Sequence, residues 1–101
     1  MTFKEQIHNI QARHPGMLLL FRMGDFFELF GPDAIVAAKT CGLTLTTRTL
    51  APGESTDFAG FPHHSLELNL HKLLKAGHRV AVCEPVEADC RPKNVKRIVV
   101  S

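Results

Sequence analysis

The sequence has no tryptophan and no tyrosine, so its aromatic character rests on seven phenylalanines. Its three cysteines, Cys41, Cys83 and Cys90, form an odd set without CxxC spacing. That argues for reduced thiols in a cytoplasm-like compartment over a disulfide framework, and the chain is expected to fold without metal or disulfide. The longest apolar run, Met17 to Phe21, is five residues, far short of the ~20 that a spanning helix needs. The opening Met-Thr-Phe-Lys-Glu-Gln lacks the apolar core of a secretory signal, so the expected location is cytoplasmic. No internal repeat or low-complexity tract is present. A net charge of +2 is too small to identify a nucleic-acid binder by itself.

What is present fits one domain. At 101 residues the chain can bury a modest core without staples, and 45% hydrophobic with 22% charged residues places it among ordinary globular proteins. Thr2 and Glu5 make a capping box, with Phe3, Ile7 and Ile10 at helical spacing up to Pro15. Met17 to Met23 reads as a central strand, apolar on both faces except at Arg22. Pro32 and Asp33 start a second helix that Gly42 ends. Leu43 to Thr47 alternates as a half-buried strand, and Thr49 to Asp57 reads as a mobile loop around Pro52-Gly53. Leu66, Leu70, Leu73 and Leu74 mark a third helix. Arg79 to Glu84 is a strand, followed by a loop and a last short strand at Ile98 to Val100. The pattern predicts an α/β (α+β) domain, a mixed sheet of four to six strands flanked by about three helices.

The unusual stretch is Gly24-Asp25-Phe26-Phe27-Glu28-Leu29-Phe30. As a strand it puts Phe26, Glu28 and Phe30 on one face by period two. An unpaired carboxylate is expensive to bury, so Glu28 is expected exposed or paired, and Phe26 beside it exposed as well. Catalytic alternatives find less support. His63, His64, His71 and the cysteines lack zinc spacing. No acid is followed two residues later by a lysine, as a metal-dependent nuclease needs; Asp89-Cys90-Arg91 comes nearest. No base stands locally beside any cysteine.

Arg22-Met23-Gly24-Asp25-Phe26-Phe27-Glu28-Leu29-Phe30 resembles the start of the MutS family of DNA mismatch-repair proteins. His14-Pro15, Leu43-Thr44-Leu45-Thr46-Thr47-Arg48, Ala59-Gly60-Phe61-Pro62-His63-His64 and Ala76 to Glu84 resemble further blocks of the family in the same order. Together they cover nearly the whole chain. The part resembled is the N-terminal mismatch-recognition domain of a much longer protein. Departures are Phe27 and His63 where the family often has Tyr, and Pro85 where Gln usually follows the Glu. The sequence holds no GxxxxGK[ST] phosphate loop, so no enzyme activity and no cofactor are expected of it; ATP would be bound by other domains of a longer protein.

The resemblance implies that Phe26 wedges into DNA at a mispair and that Glu28 contacts the mispaired base. The physics agrees. A mispair is already weakly stacked, so insertion of a ring costs less there than in sound duplex. A carboxylate is repelled by phosphates, while a neutral Glu can donate a hydrogen bond to a base acceptor. Four cations, Arg91, Lys93, Lys96 and Arg97, crowd the C-terminal stretch. The candidate DNA-binding set is therefore Phe26, Glu28, Arg48, Arg91, Lys93, Lys96 and Arg97. The expected partner is double-stranded DNA with mispairs or unpaired bases, alongside remaining MutS-like domains or repair proteins. The alternative is a protein-interaction or regulatory module that kept the fold and lost DNA binding.

Overall fold

The computed structural model describes residues 3–84 and 89–93, and for Glu84 and residues 89–93 the backbone alone. The elements run α1 (Phe3–Arg13), β1 (Leu18–Met23), β2 (Phe26–Phe30), α2 (Pro32–Cys41), β3 (Thr46–Ala51), β4 (Glu54–Pro62), a 3-10 turn (His63–Ser65), α3 (Leu66–Lys75), β5 (Val80–Glu84) and β6 (Asp89–Lys93). Thr2 of the expected capping box and the expected strand at Ile98 to Val100 lie outside the described residues.

One six-stranded mixed sheet organises the chain, in the order β3-β4-β2-β1-β5-β6. β1 and β5 run parallel and every other pair is antiparallel. β1 takes its central place because Leu18, Leu19, Leu20 and Phe21 are all buried, leaving no face for solvent. The two faces carry separate cores. Leu18, Leu20, Phe27, Leu29, Ala59, Phe61 and Val80 pack against Ala34, Ala37 and Cys41 of α2 and Leu70 and Leu73 of α3. Leu19, Phe21, Phe30, Ala81 and Cys83 pack against Ile7 and Ile10 of α1, with Phe3, Leu50 and Phe58 at the margin. Among the described residues, α2 and α3 pack on one face and α1 on the other. Among the described residues no helix is long and apolar enough to cross a membrane.

Three sequence expectations are corrected. The half-buried strand expected at Leu43 to Thr47 begins instead at Thr46, and Leu45 is exposed. The segment expected as a mobile loop, Thr49 to Asp57, is the heart of the β3–β4 hairpin, with Arg48 opposite Thr56 and Thr49 opposite Ser55. Its polar strands show no hydrophobic alternation, yet ladder hydrogen bonds, Leu50 on the α1 core and a Lys4 Nζ to Glu54 Oε2 ion pair of 2.7 Å hold it. Finally, Asp89–Lys93 returns as strand β6, placing Cys90 opposite Cys83, and Cys83 is disulfide-bonded. The expectation of three reduced thiols therefore fails at Cys83, since a cross-link set by tertiary structure needs no CxxC spacing in the sequence. Cys41 is a free, buried thiol that burial pushes up, with nearby Lys72 opposing.

Candidate nucleic-acid interface

The candidate interface on the α1 face is built by three neighbouring strands. β1 and β2 are joined by a two-residue turn, Gly24-Asp25, between the paired Met23 and Phe26. A turn this short needs positive φ at its first central residue, which Gly24 supplies at +61°. Arg22 Nε donates to the Gly24 carbonyl at 2.6 Å, and the His63 amide donates to the Asp25 carbonyl at 2.7 Å. The turn is thus pinned from both sides. Phe26 leaves this pinned base with 49% of its surface exposed, although it sits opposite Pro62 in the ladder. A ring held on a rigid stem and offered to solvent keeps its stacking capacity for an incoming partner.

Glu28 follows two residues along β2, ~7 Å away on the same face. Phe30, next in the series, is buried against the rings of Phe3, Phe21 and Phe58 at centroid separations of 5.6 to 5.8 Å. The face therefore grades from an exposed ring, through a carboxylate, into solid core. Glu28 is paired: its Oε1 accepts from Arg48 Nη1 at 2.7 Å. Arg48 lies on β3, and β4 runs between the two strands. Its guanidinium carbon stands 4.8 Å from the centroid of the Phe58 ring, a cation–π contact that carries it across β4. Gly60 lies directly opposite Glu28 in the ladder. A Cβ at Gly60 would meet the Phe27 carbonyl oxygen at 3.0 Å and Glu28 Cγ at 3.7 Å.

Of the residues expected to bind DNA, the fold brings Phe26, Glu28 and Arg48 together on this one face. Arg91 and Lys93 occupy register positions opposite Val82 and Val80 on the edge strand β6, at the other side of the sheet. Their side chains, with Lys96 and Arg97, lie outside the described residues. Phe58 and Gly60 support the site and were not singled out for that role from sequence; the Ala-Gly-Phe-Pro block was the available signal. Among the described residues no three His, Cys, Asp or Glu side chains gather as a metal site would require.

The family model described as MutS domain I matches residues 1–101. The chain is 45% identical over 95 residues to the DNA mismatch repair protein MutS of Bacteroides fragilis, covering 94% of this chain and 11% of that protein. It is 50% identical over 95 residues to the protein of the same name from Cytophaga hutchinsonii, with the same coverage of each. Christiangramia forsetii has another such relative, 50% identical over 95 residues, covering 94% of this chain and 10% of that protein. The chain thus spans about a tenth of the length of the curated relatives it matches.

Proposed function

This chain belongs to the MutS family, matching its domain I from residue 1 to residue 101, and on that premise we propose that it is a mismatch-reading module for duplex DNA. Phe26 is the wedge: it enters the stack where a mispair or an unpaired base has already weakened it, so the energy difference between sound and faulty duplex supplies selectivity. Glu28 repels the phosphates of ordinary duplex and reaches an accessible base at the faulty step. Arg48 adds a phosphate contact beside them, and the basic stretch Arg91, Lys93, Lys96 and Arg97 adds further backbone attraction. The module performs no catalysis and needs no cofactor of its own; a cytoplasmic location belongs to the same proposal.

The observation that carries this reading is the exposure of Phe26 at 49% on a doubly pinned turn, on the same face as Glu28. A ring kept out of the core at the edge of a well-packed domain has surface to offer a partner. The test is fluorescence anisotropy of the chain with labelled duplexes that are perfect, mispaired or carry one unpaired base. Tighter binding to the faulty duplexes is expected, over a background affinity for perfect duplex of ~10⁻⁴–10⁻⁶ M or weaker at physiological salt. Equal affinity for all three duplexes would remove the proposal.

A further inference from the structure

Glu28, the carboxylate assigned to a base, is already engaged by Arg48 in the free protein. The two partners are unequally accessible: the Glu28 side chain keeps 13% of its surface and the Arg48 side chain 44%. An anion approaching this face therefore meets the guanidinium before it meets the carboxylate. The pair among the described residues is a single contact, Nη1 to Oε1, whereas a guanidinium carries five N–H donors in a fixed fork. The Phe58 ring, 4.8 Å from the guanidinium carbon, adds a cation–π contact to Arg48.

We propose that Arg48 is a phosphate-operated latch on Glu28. In the free protein it holds the carboxylate toward β3. When duplex docks, a backbone phosphate takes over the guanidinium, and Glu28 is released toward a base edge. This inference rests on the DNA-binding reading above and adds Arg48 to it as a positioning residue. The exchange is favourable on general grounds. Arg48, the partner that must move, is 44% exposed, so solvent screens its side of the pair, and a phosphate offers the guanidinium two parallel charge-assisted bonds where Glu28 now takes one. The latch also shields the approach: until Arg48 is taken, the Glu28 charge is neutralised and does not repel the incoming backbone. Repulsion appears only after docking, and only a step with an accessible base compensates for it.

The competing account is a static brace, in which the pair simply ties β3 to β2 across β4 and stays closed on DNA. Salt dependence separates the two. If Arg48 moves to a phosphate, Arg48→Ala lowers the slope of log affinity against log salt by about 0.9, one phosphate contact, and Arg48→Lys retains most of that slope. The carboxyl-carbon resonance of Glu28 in the wild-type chain shifts on saturation with a mispaired duplex, and in free Arg48→Ala it has already left its wild-type position. A brace predicts an unchanged slope and a Glu28 resonance indifferent to duplex; either result overturns the latch. Should Arg48→Ala fail to fold, the wild-type titration and the Arg48→Lys slope still decide. A Phe26-dependent preference for mispairs with an unchanged Arg48 slope overturns the latch alone. Absence of binding to any duplex overturns both the latch and the mismatch reading.

Discussion

The Arg48 guanidinium crosses the whole width of β4, rests on the Phe58 ring at 4.8 Å and ends on Glu28 Oε1 at 2.7 Å. This contact joins residues of the first and third strands of the sheet order. A ring and an ion pair thus form one unit across β4.

Phe26→Ala should abolish any preference for a mispair or an unpaired base. Ring stacking is worth roughly 1–3 kcal/mol, so affinity for the faulty duplex should fall by a factor of about 5 to 150 while perfect duplex is little affected. Because the ring is 49% exposed, the unfolding midpoint should barely move. Anisotropy and thermal melting measure the two halves. A variant that unfolds would place Phe26 in the core and end its assignment as wedge.

Glu28→Ala should act in the opposite sense on sound DNA. It removes a carboxylate and frees Arg48, so affinity for perfect duplex should rise and discrimination should fall. The lost ion pair has one partner 44% exposed, so the effect on stability should stay within about 1 kcal/mol. Unchanged affinity for perfect duplex would show that the carboxylate does not face the backbone.

Gly60→Ala tests how closely β2 and β4 approach beside Glu28. The added Cβ would stand 3.0 Å from the Phe27 carbonyl oxygen, a backbone atom held in the sheet. Overpacking of this kind destabilises by roughly 1–3 kcal/mol, which chemical denaturation would register. Wild-type stability in this variant would mean that the β2–β4 ladder yields more readily than its central position implies.

Asp33 links stability to pH. It lies in the first turn of α2, where its Oδ2 accepts from the Leu19 amide at 3.2 Å. Burial raises its carboxyl above the ordinary 3.8, with the Leu19 hydrogen bond opposing. An acid with a raised folded value holds its proton more tightly folded than unfolded. Its contribution is therefore most favourable below the ordinary value and is lost as pH rises through the folded one. The stability of wild type relative to Asp33→Asn should decline across that window and level off above it. A difference that stays flat with pH would contradict the burial argument.

Reduction should lower the thermal midpoint without unfolding the whole domain. Cys83 is disulfide-bonded on β5, where its side chain is buried in the core on the α1 face. By restricting the unfolded chain, a disulfide is typically worth about 2–4 kcal/mol in the chain-entropy account. Melting with and without reductant, beside Cys83→Ser, provides the measurement. Identical curves would exclude a structural part for the bond.

Local residue order determined the parts of this protein that depend on local periodicity and chain breaks. Period two alone put Phe26, Glu28 and Phe30 on one face, and the cost of burying a lone carboxylate announced that Glu28 is paired or exposed. Pro32 and Gly42 bracketed α2, and the leucine spacing marked α3, because both signals act within a turn or two of helix. Tertiary structure decided what depends on strand order. Alternation marked Thr46 and Thr47 as strand, but Thr49 to Asp57 lacks a sustained apolar face, so nothing local distinguished a hairpin from a loop there; only β3–β4 pairing decides it. That pairing carries Arg48 to within reach of Glu28, twenty positions away in the chain, and the return of β6 likewise sets Cys90 against Cys83. Such contacts leave no trace in local pattern, because a ladder is specified by both of its strands and a single stretch of sequence displays only one.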